Sequence, residues 1–252
     1  MRILITNDDG IHADGLKTLE RIARALSDDV WVIAPETDQS GASHSLTLSL
    51  PLRVRPVAER TYAVRGTPTD CVIMGVRHIL DRAPDLVLSG VNRGQNLGDD
   101  VTYSGTVAGA MEGTLLGIRS IAFSQCFSKE TRDAPHYATG EALGPDLVRR
   151  LLAIETPPGT LFNVNFPDRL TSDVRGVKVT RQGRRNPDLV EIEPREDGRG
   201  IPYYWIAFRR APYEFEPETD LKACAEGFVS VTPLRLDLTA DAFLDRLSGA
   251  LA

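Results

Sequence analysis

Two carboxylates, Asp8 and Asp9, stand side by side where the apolar run of RILITNDDG gives out. They repel each other, and no fixed positive charge adjoins them in the sequence. Neighbouring side chains on a strand point to opposite faces. Only past the strand end, in the turn that Gly10 permits, can both carboxylates face one place. Two hard oxygen donors without a cationic partner suit Mg²⁺, Mn²⁺ or Ca²⁺. The competing reading is a turn signal, because Asn, Asp and Gly dominate turns. The helical pattern that follows argues against a tight Asp-Gly hairpin, and Asp14 is expected to cap that helix.

Three later polar loops carry compatible chemistry. In ETDQSGASHS, Glu36 to Ser45, the small residues from Ser40 to Ser43 let backbone amides approach an anion, and Ser40 offers a neutral oxygen ligand. A plain solvated loop is the alternative. In SGVNRGQNLGDD, Ser89 to Asp100, the amides of Asn92 and Asn96 can ligate a metal through oxygen or a phosphate through nitrogen. They could instead fill left-handed turn positions. In TYSGTVAGAMEG, Ser104, Gly105 and Thr106 open a helix, whose first turn has unpaired N–H groups and a positive dipole end. Gly105, Gly109 and Gly113 at spacing four also permit close packing against a sheet. His12 and His44 sit in these loops as candidate assistants, and His78 reads as a structural helix residue.

Elements of two kinds must position these loops. Ile3 to Thr6, Val30 to Pro35, Asp85 to Gly90, Ser120 to Phe123 and Leu161 to Pro167 read as short apolar strands. Helical patterns run from Asp14, from Thr67 with Pro68 and Asp70 as start signals, over Ser104 to Gly117, and over Tyr137 to Ile154. Gly144-Pro145 is expected to bend or restart the last of these. Arg53 to Arg65 reads as an exposed hairpin with Pro56 at an edge. Such alternation predicts an α/β fold with a mostly parallel sheet covered on both faces, its ligands at the carboxyl ends of the strands. Beyond Arg175, GVKVTR, YYWIAF and GFVSVTPLRLDL read as a projecting β arm closed by an amphipathic helix from Ala240 to Leu251. The expected organisation is one domain over 1–252, with a core to about 170 and the arm and helix from about 171.

Composition excludes several classes. The net charge is −6, and no block of Lys or Arg offers a footprint for duplex nucleic acid or an anionic membrane. Three separated cysteines argue against a disulfide framework and for a reducing compartment. The first residues do not read as a signal core, and no stretch reaches about 18 apolar residues. A cytoplasmic protein is expected. GxxxxGK[ST], a GxGxxG after the first strand, HExxH and GxSxG are all absent. A dehydrogenase therefore lacks its fingerprint, whereas a non-catalytic nucleotide- or metal-sensing module stays open.

Taken together, ILITNDDG, QSGAS, GTPTDCV, PDLVLSGVNRGQNLGDDVTYSGTVAGAMEG, FNVNFP and GFVSVTPL resemble the SurE family of stationary-phase survival proteins. The likeness runs from the first residues to about Leu234. It implies a Rossmann-like three-layer core and a metal-dependent 5′/3′-nucleotidase hydrolysing nucleoside monophosphates, with 3′-nucleotides and short polyphosphate as further substrates. One divalent cation per subunit, Mg²⁺ or Mn²⁺, would be held by Asp8, Asp9, Ser40 and Asn92. Asn96 and Ser104-Gly105-Thr106 would bind the substrate phosphate, and Asp8 and Asp9 would be the catalytic pair. The resemblance further implies a homodimer or homotetramer that exchanges C-terminal elements. The expected chemistry is attack by activated water, with covalent attack by Asp8 as the internal alternative.

Overall fold

The computed structural model describes residues 1–185, 190–208 and 215–251. Its first strand, β1 (Ile3–Thr6), is buried at every residue, as a strand covered on both faces must be. The chain then alternates α1 (Asp14–Arg24), β2 (Val30–Pro35), the hairpin β3 (Val54–Ala58) and β4 (Thr61–Val64), α2 (Pro68–Met74) and β5 (Leu86–Arg93). It continues through α3 (Gly105–Leu115), β6 (Arg119–Gln125), α4 (Tyr137–Leu152), β7 (Thr160–Phe166) and β8 (Val177–Val179). The last elements are β9 (Val190–Glu196), β10 (Pro202–Phe208), α5 (Asp220–Ala225), β11 (Val229–Arg235) and α6 (Asp241–Leu251).

Nine strands form one sheet in the order β3-β4-β2-β1-β5-β6-β7-β11-β8. The run from β4 to β7 is parallel throughout. Apolar side chains on one face of β1, Ile3 and Ile5, pack with Leu19 and Ile22 of α1 and Val148 of α4. On the other face Leu4 and Val87 join Cys71 and Val72 of α2, and α3 brings Val107 and Ala110 to the same side beside Ala122. This is the expected Rossmann-like three-layer sandwich. From β1 the chain crosses to β2 on one side, and later it returns to β5 on the other. Connections thus diverge between β1 and β5, leaving a crevice at their carboxyl ends.

α3 seats directly on the sheet because the row it turns to the sheet is glycine. A Cβ on Gly109 would stand 2.8 Å from Ser89 Oγ, and one on Gly113 would stand 2.4 Å from Ser120 Oγ. The glycine spacing of four therefore has a packing function.

Several local expectations are corrected. The extended residue before α1 is Ala13, so Asp14 is the first helical residue and pairs with Lys17 at 2.7 Å. α4 runs unbroken through Gly144-Pro145, where Gly144 lets the helix seat against Ile22. That tertiary contact outweighs the hydrogen bond lost at proline. β5 extends to Arg93, past the expected end at Gly90, and its pairing with β6 shifts register between Ser89 and Asn92. The strand-like GVKVTR and GFVSVTPLRLDL do not belong to the arm. β11 pairs antiparallel with β7, and β8 pairs parallel with β11, so both extend the central sheet. The arm is the antiparallel β9–β10 hairpin alone.

Candidate active site

Asp8 and Asp9 leave β1 at the crevice. Gly10 turns the chain with φ of 98°, and the Asn7 side-chain amide closes the turn by donating to Gly10 O at 3.0 Å. Asp8 is 4% exposed. The Thr106 hydroxyl donates to its Oδ1, and the start of α3 packs against its other edge. A Cβ on Gly105 would come within 2.8 Å of Asp8 Cβ and 3.1 Å of Oδ2, so only glycine admits the carboxylate here. Asp9 Oδ2 accepts the Arg93 backbone N–H at 3.0 Å, which ties the end of β1 to the end of β5.

Burial pushes the Asp8 carboxyl up to about 6, with the Thr106 hydroxyl opposing and the charges of Asp9 and Asp38 adding to the rise. Asp9 is also raised, chiefly by burial and further by Asp38, against the Arg93 N–H. Among the described residues, Asp8, Asp9 and Asp38 take part in no ion pair. A buried carboxylate without a cation is costly unless something positive is bound.

The Ser40 loop is drawn to the same place by its backbone. Gln39 N donates to Asp8 O at 2.8 Å, and Asp38 Oδ1 accepts both Ser40 N at 2.8 Å and Ser40 Oγ at 2.6 Å. Asp38 escaped the sequence reading, although an Asp two residues before a Ser is a side-chain turn signal. His44 Nε2 meets Glu112 Oε2 of α3 at 3.0 Å, which fastens this loop to the helix. His12 is exposed.

Asn92 uses its amide nitrogen on Gly94 O at 2.9 Å, leaving oxygen as its ligating atom. Asn96 is held from several directions. Its N–H goes to Asn165 Oδ1, its Nδ2 donates to Ser124 Oγ at 2.8 Å, and its carbonyl accepts from Asn163 and Asn165. The FNVNFP asparagines are thus braces beneath the Asn96 loop, a role the sequence did not reveal. Ser104 caps α3, its Oγ accepting Val107 N–H at 3.0 Å, which frees the hydroxyl proton for a ligand.

Five of the eight expected residues, Asp8, Ser40, Asn92, Asn96 and Ser104, line one cleft of about 380 Å³. Asp9, Gly105 and Thr106 do not line it; they adjoin it through the contacts above. The Thr106 hydroxyl is engaged by Asp8 rather than turned to a phosphate, and the Asn96 side-chain nitrogen is engaged by Ser124. Gln95, Asp100, Tyr103, Phe127 and Arg185 also line the cleft, with Gly41, Arg93 and Gly94. A further residue not foreseen is Asp220 of α5, whose carboxylate accepts Gly98 N and Gly183 N at 2.8 and 2.9 Å. It binds the C-terminal segment to the cleft loop.

No cluster of three His, Cys, Asp or Glu side chains that could hold a metal occurs among the described residues. The candidate donors are two carboxylates completed by a hydroxyl and an amide oxygen. That all-oxygen set, around uncompensated buried charge, fits a hard divalent cation.

Comparison with known proteins agrees with this reading of the fold. The family model described as "Survival protein SurE" matches residues 3–188. A protein of Azorhizobium caulinodans named 5′-nucleotidase SurE is 62% identical over 98% of each chain. One of the same name from Rhodopseudomonas palustris is 61% identical over 100% of each. The crystal structure of the SurE protein from Aquifex aeolicus superposes with a TM-score of 0.86 at 41% identity, covering 100% of both chains. The chain belongs to the SurE family.

Proposed function

We propose that this protein is a divalent-metal-dependent phosphatase that hydrolyses nucleoside monophosphates, a 5′-nucleotidase, with 3′-nucleotides and short polyphosphate as further substrates. The carrying observation is the pair Asp8 and Asp9, without an ion-pair partner among the described residues, with Asp8 set against the first turn of α3 and Asp9 tied to the end of β5. The names of relatives 61–62% identical over nearly the whole chain support the same reading.

Asp8, Asp9, Ser40 and Asn92 would hold one Mg²⁺ or Mn²⁺ through oxygen. Such an ion supplies positive charge for the phosphoryl oxygens and lowers the pKa of a water. Thr106 fixes the Asp8 carboxylate, so that oxygen geometry is set before substrate arrives. Asp9 orients or deprotonates the attacking water. Ser104 and the free N–H groups of Gly105 and Thr106 receive the phosphoryl oxygens, where positioning and charge stabilisation do most of the work in this reaction. Asn96, braced by Asn163 and Asn165, shapes the phosphate side of the cleft. Covalent attack by Asp8 is the internal alternative; trapping a phosphorylated Asp8 during turnover would establish it.

The oligomer is a homodimer or homotetramer exchanging C-terminal elements. Its support is the apolar surface of β9–β10, where Trp205 and Ile206 are 56% and 68% exposed, together with Phe243 and Leu244 of α6. No described helix is long and apolar enough to cross a membrane. Three free thiols support a cytoplasmic location.

The test is phosphate release from a nucleoside 5′-monophosphate with Mn²⁺ or Mg²⁺, with and without chelator. Chelator-sensitive release is expected. Binding of nucleotide without any release would favour a sensing module instead.

A further inference from the structure

Arg185 stands on the cleft wall, and its surroundings hold it there from the backbone outward. Its N–H donates to Asp99 Oδ2 at 2.8 Å. Gln182 Nε2 donates to Gly98 O at 3.1 Å, and Asp220 joins Gly183 to Gly98. The guanidinium Nη2 pairs with the Asp100 carboxylate, the two side chains being only 23% and 25% exposed. Nε is buried and has no hydrogen-bond partner.

That pattern leaves one edge of the guanidinium half used. Nε–H and the adjacent Nη2–H form a planar fork matched to two oxygens of a carboxylate or phosphate. Asp100 answers Nη2 alone. Burial raises the Asp100 carboxyl, against the lowering effect of the adjacent Arg185.

The charge of the cleft points the same way. Asp8, Asp9 and Asp38 already contribute negative charge, and a phosphate monoester adds more. Arg93 also lines the cleft, but its guanidinium is turned to Arg132 O and Asp133. Among the described residues lining the cleft, Arg185 is the second arginine, and its guanidinium is held by Asp100 at the cleft wall.

We propose that Arg185 is a substrate-binding residue whose guanidinium rests on Asp100 between turnovers and turns from it to bring the Nε–Nη2 fork onto two non-bridging oxygens of the substrate phosphate. This deepens the phosphatase reading and rests on it. It also gives a reason for the C-terminal segment to be clamped so firmly to the Gly98–Tyr103 turn.

The experiment compares wild type with Arg185→Gln, Arg185→Lys and Asp100→Asn. Inorganic phosphate is titrated calorimetrically into the Mn²⁺-loaded proteins, and KM and kcat are measured for a nucleoside 5′-monophosphate and for p-nitrophenyl phosphate. Arg185→Gln should weaken phosphate binding about ten-fold or more and raise both KM values alike. Mn²⁺ affinity, read by electron paramagnetic resonance, should stay unchanged. Arg185→Lys keeps the charge but loses the fork, so it should still bind phosphate at least about three-fold more weakly; it carries the test if the Gln variant unfolds. Asp100→Asn should keep or tighten phosphate binding. Unchanged phosphate binding in folded Arg185 variants would overturn the proposal, as would a defect confined to the nucleotide. Failure of the nucleotidase reading would show separately, as wild-type protein that binds phosphate yet hydrolyses neither ester.

Discussion

At the carboxyl ends of β1 and β5 the fold buries charge, whereas on the β9–β10 hairpin it exposes aromatic and aliphatic bulk. Asp8 and Asn96 are 4% and 7% exposed, yet Trp205 and Ile206 on the hairpin are more than half exposed. Both regions depart from the usual division of apolar inside and charged outside. In the cleft Asp8, Asp9 and Asn96 are tightly held, by Thr106 and Gly105 on Asp8, by Arg93 on Asp9 and by three side chains on Asn96. On the hairpin the two strands hold mainly each other. The difference teaches that the cleft is preorganised for a small charged ligand, while the hairpin offers a broad surface for a macromolecular neighbour.

The largest effect expected of this contrast lies in the cleft. Asp8→Asn or Asp9→Asn should lower metal-dependent phosphate release by on the order of 10³-fold or more while far-UV circular dichroism stays native. A near-normal rate in either variant would break the contrast at its stronger end. Next is Gly105→Ala, whose methyl would stand 2.8 Å from Asp8 Cβ and push the carboxylate from its place. A fall in kcat of about 10²-fold is expected, since misplacement of the order of 1 Å costs that much.

The hairpin should respond in mass rather than in rate per folded site. Trp205→Ser combined with Ile206→Ser should give a smaller particle by light scattering, with the thermal unfolding of the central sheet retained. If the mass is unchanged, the exposed apolar surface is not where copies meet.

The smallest effect concerns stability. The Asp8 carboxyl titrates at about 6 in the folded chain against 3.8 as its ordinary value, so folding favours its protonated form. The corresponding stability is fully present below the unfolded pKa and is lost as pH rises through the folded one. Metal-free protein should therefore lose up to about 3 kcal/mol from this group between pH 4 and pH 7. Asp9, Asp100 and Asp220 shift in the same direction. Asp8→Asn should raise metal-free stability at pH 7 by about 1–3 kcal/mol, read by urea denaturation. A destabilised variant would show that burying the Asp8 charge carries no such cost.

The same contrast explains what the sequence made legible. A parallel sheet sends its loops to the carboxyl ends of its strands, so Asp8, Ser40, Asn92 and Ser104 could be gathered from local patterns alone. The helix start at Ser104 and the box of Thr67 and Asp70 are local too, and both are present. Asp14 misled because an acid in the first turn satisfies the helix dipole as well as a cap does. What stayed hidden depends on distance along the chain. Asp220 reaches Gly98 across 122 positions, and Arg185 reaches Asp100 across 85. β11 looked like part of an arm because its pairing with β7 has no local signature. Asn163 and Asn165 read as strand residues, and only the tertiary fold turns their amides onto Asn96.

Mn²⁺ titration followed by electron paramagnetic resonance tests the central claim most directly. Wild-type protein should take up one equivalent per chain, and Asp8→Asn, still folded, should leave that Mn²⁺ free at the same concentrations. Equal uptake by both proteins, or none by the wild type, would contradict the metal centre on which the phosphatase depends.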